Sequence, residues 1–378
     1  MELGQWSLLL TLGALVALIP LGLVWMTRGS RPLRRLAWVT AFLTFDLVVF
    51  GGFTRLTESG LGCPDWPGCF ARSSPLAAAQ AIDAAQAALP GGPVTMLKAW
   101  IEMIHRFLAM AVGLLIVVMM LASWRQRKQA ARFPGLASAA FALVLVQGAF
   151  GALTVTQKLQ PVIVTIHLLL GLSLLGLLVW HALAIDAASA SADGRRPESL
   201  PLNMAIRMLA PVALLALAAQ IALGGWVSTN YAVLACPDFP LCRGQWIPEM
   251  DLSHGFELWR QLGRTADQGF ISTSALIAIH WVHRTFAVVA ASLLGWLVIY
   301  LYRLKANVLA TGLLGLLALQ LGTGLGNVLL RWPLAVAVFH SAGAAALVIT
   351  LVVVNYRVAQ SHHSKAGHSA QTARLAAI

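Results

Sequence analysis

The sequence predicts an all-α integral membrane protein: two tandem four-helix bundles related by a pseudo-two-fold axis along the membrane normal, plus one extra N-terminal transmembrane helix. Three observations predict it. Apolar runs of about twenty residues, the length that crosses a hydrocarbon core as a helix, recur along the whole chain. Of 378 residues, 59% are hydrophobic and only 11% charged, too few charges to clothe a soluble protein of that length. A block of four spans with one cysteine-bearing loop occurs twice.

The runs place nine spans, at 6–26, 36–54, 99–121, 136–156, 162–184, 206–228, 275–300, 308–330 and 334–356. The first, WSLLLTLGALVALIPLGLVWM, is too long for a signal-peptide core and has no basic leader, so it counts as a helix outside the repeat. The loops TRGSRPLRR, WRQRKQAAR, DGRRPE and YRLK, with the tail after Tyr356, are basic and fall on one side. The positive-inside rule makes that side cytoplasmic, in a bacterial inner membrane, with a periplasmic N-terminus and a cytoplasmic C-terminus. The formal charge of +12 is therefore read as orientation. Nothing in it suggests nucleic acid, because aromatic and basic residues do not interleave.

The repeat is seen by aligning GGFTRLTESGLGCPDWPGCF, from Gly51, with GGWVSTNYAVLACPDFPLCR, from Gly224. His167 and His340 keep the same 173-residue offset, whereas EMIHR and HWVHR are 178 apart, so the second outer loop is five residues longer. Each copy has four spans, an even number, so both share one orientation. The boundaries expected are 1–35 for the extra span and its basic loop, 36–186 for the first bundle, 187–205 for a cytoplasmic linker, 206–356 for the second bundle and 357–378 for a polar tail.

His105, His167, His283 and His340 fall on the third, fifth, seventh and ninth spans at one shared depth towards the cysteine side. Two helices of each repeat thus offer one imidazole each at matching height. A four-helix bundle holds a haem in this way, by axial ligands from facing helices. The plainer reading is four unrelated core histidines, which the pairing and matched depth disfavour. Zinc is disfavoured because two histidines per half are too few ligands and no thiolate or carboxylate cluster completes a site. His181 lies fourteen residues after His167, where a second stacked haem would need a partner at Val354, so it is read as an interfacial residue. His254 is placed in a loop, and His362, His363 and His368 in the solvated tail.

Glu102 precedes His105 by three residues, on the same helix face, and the second copy has His280 in its place. An ion pair between Glu102 and Arg106, four residues apart, is the simplest account. Arg284 has no such anion, so Arg106 and Arg284, with Arg55, are expected to hold haem propionates. Without a dedicated partner, Glu102 is expected to handle protons near the iron. The cysteines repeat one spacing, and the repeat selects the local pairings Cys63–Cys69 and Cys236–Cys242. An oxidising outer face favours such bridges, either as loop pins or with one pair redox-active.

Taken together, GGFTRLTESGLGCPDWPGCF, EMIHR, the histidine of TIHLLLGL, WVHR and the histidine of VFHSAGAA resemble the haem A synthase family, which includes the mitochondrial cytochrome oxidase assembly counterpart. The resemblance spans about residues 36–356. It implies two four-helix bundles in tandem and an oxidoreductase that turns the methyl at carbon 8 of haem O into a formyl group, giving haem A for terminal oxidases. It implies that His105 and His167 ligate substrate haem O in the first half, with Glu102 as the essential carboxylate, and that His283 and His340 ligate a resident haem b in the second. Two hydroxylations would give a geminal diol that loses water to the aldehyde, with Glu102 stabilising a cationic intermediate or shuttling protons. The first span and the stretch SHGFELWRQLGRTADQGF are departures from the pattern, the latter a candidate partner surface. Expected partners besides lipid are a haem O synthase, an electron donor (a quinol or a thiol protein) and a second copy of the chain. Competing readings are a dihaem b-type electron-transfer protein acting as a quinol oxidoreductase and a haem carrier or assembly chaperone.

Overall fold

Lipid offers the backbone no hydrogen-bond partners, so each apolar run must close its own N–H and C=O groups, and a helix does this within one segment. The computed structural model describes residues 3–26, 31–127, 132–195, 198–200, 203–262 and 270–375. Among them there is no strand. The helices are α1 (Leu3–Met26), α2 (Pro32–Leu56), α3 (Ala79–Ala88), α4 (Met96–Arg125), α5 (Arg132–Thr156), α6 (Pro161–Ala192), α7 (Met204–Thr229), α8 (Leu252–Gly255), α9 (Thr273–Arg303), α10 (Asn307–Leu329) and α11 (Leu334–Leu375). Among the described residues nine are long and apolar enough to cross a membrane, all but the short α3 and α8, and they match the nine predicted spans. The protein is thus a multi-pass membrane protein.

Helix starts are set by local chemistry. Thr95, Asn203, Asp251 and Ser272 accept from the third N–H beyond them, capping α4, α7, α8 and α9. Pro32 and Pro161 open α2 and α6, where a missing N–H costs nothing. Helix ends repeat as faithfully as the sequence does. The left-handed residues Glu58, Lys158 and Leu159 recur 173 positions later as Tyr231, Arg331 and Trp332.

In the first copy α2 packs on α4 and α6, and α5 packs on α4 and α6, so each of the four touches two others. In the second copy α7, α9, α10 and α11 do the same. Between the copies α6 meets α7 and α11, and α11 meets α2. These contacts mirror one another: a Cβ on Gly52 would lie 3.4 Å from Ser341 Cβ, and one on Gly225 would lie 3.2 Å from Leu168 Cδ2. Gly225 is the repeat counterpart of Gly52, and Ser341 that of Leu168. At the basic end a common core joins both copies, with Leu175, Leu178, Leu297 and Leu351 fully buried. The span outside the repeat, α1, lies against α4 and α2, and Gly13 approaches so closely that a Cβ there would stand 2.9 Å from Met110 Cβ.

Two local expectations change, and the linker gains defined contacts. The first cysteine-side loop contains a helix, α3, because AQAIDAAQAA is rich in good helix formers. The tail continues α11 as helix to Leu375, through an alanine-rich stretch, although the side chains of His362, His363 and His368 lie outside the described residues. The linker is tied down: Glu198 pairs with Arg357, Leu200 N donates to Arg357 O at 3.2 Å, and Ser361 Oγ donates to Leu200 O. Residues 263–269 of the enlarged loop lie outside the described residues.

Candidate functional site

The four histidines of the repeat lie nine residues into α4, ten into α9 and six into both α6 and α11. At 1.5 Å per residue these are about 9–15 Å below the cysteine-side helix ends. Each imidazole is seated against a glycine of a neighbouring helix. A Cβ on Gly51 would stand 3.0 Å from His105 Cε1, and one on Gly224 3.0 Å from His283 Cε1. On Gly151 it would stand 3.4 Å from His167 Cε1, and on Gly324 3.2 Å from His340 Cε1. The glycines themselves are repeat counterparts, 51 with 224 and 151 with 324. At Gly51, Gly224 and Gly324 an added Cβ would crowd the ring and at Gly151 it would just touch it, so glycines seat the imidazoles at four related places.

Within each copy the two imidazoles lie in electrostatic range of one another, His105 with His167 and His283 with His340. Phe50 stacks on His105 with ring centroids 6.2 Å apart. Glutamines complete the surroundings. Gln147 Nε2 stands 3.4 Å from His167 Nε2 and donates to His167 O at 3.1 Å. Gln320 Nε2 stands 3.2 Å from His340 Nε2, and Gln220 Nε2 3.1 Å from His283 Nδ1. The Nδ1 atoms of His105 and His167 are buried without a hydrogen-bond partner. These residues fit a haem: paired imidazoles on separate helices, glycine seats, apolar walls and, in the first copy, ring nitrogens left over by the protein's own bonding. Among the described residues no three His, Cys, Asp or Glu side chains converge on a bare metal-ion site.

Glu102 is buried, 4% exposed, and both its oxygens have partners. Arg106 Nη2 donates to Oε1, and the backbone N–H of Cys63 donates to Oε2 at 2.8 Å. The expectation of a carboxylate without a dedicated partner is thereby corrected: the loop folds back over α4 and brings a donor that linear spacing does not reveal. The second copy repeats the tether with different chemistry, Cys236 N donating to His280 Nδ1 at 3.3 Å. Arg106 also donates from Nη1 to the carbonyls of Asp65 and Gly68, at 2.8 and 2.5 Å. Arg284 donates to the counterparts of the same loop, Asp238 O at 2.9 Å and Leu241 O at 3.2 Å. Arg106 and Arg284, expected to hold haem propionates, thus donate to loop carbonyls. Arg55 Nη2 donates to Ser228 O at 2.5 Å, and its guanidinium lies over the Tyr231 ring at 4.4 Å.

Both disulfides are formed, Cys63–Cys69 and Cys236–Cys242, and all four cysteines are at most 2% exposed. Within the loops Asp65 and Asp238 each accept from two consecutive backbone N–H groups, at 2.6–2.7 Å, which holds the turn under each bridge. Burial of the sulfurs suits a structural pin. His181, expected at an interface, is fully buried. Its Nε2 stands 3.4 Å from Ser123 Oγ, and Phe133 meets it edge-on at 5.9 Å. The reason is that α6 runs on to Ala192 and packs against α2, α5, α7 and α11, so residue 181 is far from the helix end. The seating glycines and the glutamines were missed by sequence reasoning, although Gln147 and Gln320 share the 173-residue offset and are polar residues in mid-span.

A repeated, glycine-seated pair of imidazoles inside a multi-pass helical membrane protein defines a haem-binding class. Residues 34–352 match the COX15-CtaA family model, cytochrome oxidase assembly protein. The chain belongs to that family. It is 37% identical to a heme A synthase of Shewanella oneidensis over 332 residues, 85% of this chain and 96% of the relative. It is 30% identical to a heme A synthase of a Caulobacter species over 87% of this chain and 96% of the relative. To one of Erythrobacter litoralis it is 29% identical, over 88% and 99%.

Proposed function

We propose that this protein is a haem A synthase that oxidises the carbon-8 methyl of haem O to a formyl group, with a resident haem b. The observation that carries the proposal is the duplicated imidazole pair with a carboxylate beside only one copy, Glu102 in the first and His280 in the second. Two equal haem sites would suit electron transfer; one altered site gives the asymmetry a chemical task. In this reading residues 36–186 and 206–356 are tandem four-helix bundles about a pseudo-two-fold axis, joined by linker 187–205. Residues 1–35 and 357–378 lie outside them. The mirrored contacts of Gly52 and Gly225 support it. The cysteine loops face the periplasm and both basic termini of the bundles face the cytoplasm, which puts the N-terminus outside and the C-terminus inside.

His105 and His167 would hold haem O, and His283 and His340 haem b. The bound haems supply the redox chemistry that attack on an unactivated methyl needs. The protein's part is placement. Gly51 and Gly151 fix the two imidazoles, and Phe50 stacks beside His105. Glu102, locked by Arg106 and the Cys63 N–H, sets a carboxylate one helical turn from His105. There it stabilises positive charge developing at the methyl carbon or takes its proton. Arg106 and Arg284 fasten the loops that close each site from the cysteine side, and Arg55 joins the two halves. The propionates then rely on donors other than the Nη1 of Arg106. The electron donor, a quinol or a thiol protein, and a haem O synthase as source of substrate are the partners this chemistry requires.

The test is porphyrin analysis of the purified protein, co-expressed with a haem O supply, beside Glu102→Gln. Formyl-bearing haem in the wild type and its loss in the variant is the expected result. Haem retained in both halves with no formyl product would overturn the proposal in favour of an electron-transfer cytochrome.

A further inference from the structure

We infer that Thr323 is a positioning residue for His340 and that this hydroxyl makes the second half the retentive haem site. The inference rests on the proposal that the four histidines ligate iron. An imidazole ligates through the lone pair of one ring nitrogen, and an acceptor at the other nitrogen fixes the tautomer and the ring's direction.

Thr323 Oγ1 stands 3.0 Å from His340 Nδ1. Its own proton has a settled destination, since Oγ1 donates to Leu319 O at 2.8 Å, one turn back on α10. The hydroxyl oxygen therefore presents a lone pair to Nδ1, and His340 must carry its proton there. Its Nε2 then holds the lone pair, which points to Gln320 Nε2, a donor 3.2 Å away. His340 is thus held by the protein in the tautomer that iron needs, with Nε2 as the ligating atom.

The first half lacks this device. The counterpart of Thr323 is Phe150, which has no polar atom, and His167 Nδ1 is buried with no hydrogen-bond partner. At His340 an acceptor on Nδ1 is built into the protein, whereas His167 keeps that nitrogen unpartnered, which suits a group that enters and leaves.

The experiment uses the purified full-length protein loaded with haem in both halves, and compares Thr323→Val with Thr323→Ser. Two quantities are read: the rate of haem transfer to an excess of apomyoglobin, and the low-spin electron paramagnetic resonance signal that disappears in His340→Ala. The expected result is about tenfold faster release of one haem in Thr323→Val, with that signal shifted and the other haem's release unchanged. Thr323→Ser, which keeps the hydroxyl, should restore both. Wild-type release and an unmoved signal in Thr323→Val would overturn the inference, and so would equal acceleration of both haems, which marks a loosened fold. A His340→Ala protein that keeps its full haem content would instead sink the ligation proposal itself, whatever Thr323 does.

Discussion

Arg55 donates to the backbone carbonyl of Ser228, its own repeat counterpart 173 positions later. In the proposed arrangement of two related bundles, a residue that touches its own counterpart lies next to the axis between them. The contact is reinforced by the guanidinium's position over Tyr231, the counterpart of Glu58. Replacing Arg55 with Leu removes a charged hydrogen bond and a cation–π contact, together about 1.5–3 kcal/mol. Thermal unfolding in lipid nanodiscs should show that loss, and Arg55→Lys should recover part of it. An unchanged midpoint in Arg55→Leu would mean that the halves are held together elsewhere.

Arg106 and Arg284 fasten equivalent loops, but only Arg106 also has a buried carboxylate partner. Arg106→Leu leaves Glu102 buried and uncompensated, a change worth about 3–5 kcal/mol. Arg284→Leu leaves only carbonyls short of donors, about 1–3 kcal/mol. Denaturation of the two variants side by side should rank Arg106→Leu as clearly the worse, and the reverse order would contradict the assigned partners.

The glycine seats grade themselves by distance. A Cβ at Gly51 or Gly224 would stand 3.0 Å from an imidazole carbon, against 3.2 Å at Gly324 and 3.4 Å at Gly151. Alanine at 51 or 224 must push the ring aside, at about 1–3 kcal/mol, while alanine at 151 makes an ordinary contact. Visible and paramagnetic spectra of the loaded variants should change in that order. A Gly151→Ala spectrum more disturbed than that of Gly51→Ala would contradict it.

The bridges pin loops of sequence separation six with their sulfurs buried. Loop-closure entropy for so short a ring gives about 2 kcal/mol per bridge. Cys63→Ala with Cys69→Ala should lower stability by that amount, and a water-soluble reductant should leave the native bridge intact until the protein is unfolded. Reduction in the folded protein, with loss of activity reversed by oxidant, would point to a redox role instead.

Acid should loosen the cysteine side. The Asp251 carboxyl is drawn down to about 2, chiefly by the His254 N–H and then by Ser253 and the His254 side chain. Its folded value lies below its unfolded value of about 3.9, so its stabilisation is complete above that value and lost as pH falls through about 2. Asp251→Asn should flatten the acid limb of the stability profile between about pH 4 and 2. A slope unchanged by the substitution would assign it to other carboxylates.

Much of the architecture was legible because the membrane imposes a single rule, an apolar run of fixed length per crossing, and because a duplication prints the pattern twice. His105 and His340 stood out for the same reason: polar groups in mid-span are rare. The partners of Arg106, Arg284 and Glu102 were not legible. Each depends on a loop doubling back some 40 residues to meet a helix, and neither periodicity nor spacing encodes that fold-back. The burial of His181 was hidden because α6 outruns its apolar stretch, with Ser189 and Ser191 still helical beyond it. Gln147 and Gln320 were readable in principle, since they obey the repeat, but only the coordinates turn a matched pair of amides into neighbours of imidazoles.

The N–H of the first cysteine in each loop donates to a glutamate in one copy and to a histidine in the other. Architecture at that point asks only for a lone pair, so the anchoring side chain can be charged or neutral. One twin can carry an acid without disturbing its scaffold, and in the proposed function that single difference separates a place that transforms a pigment from a place that keeps it.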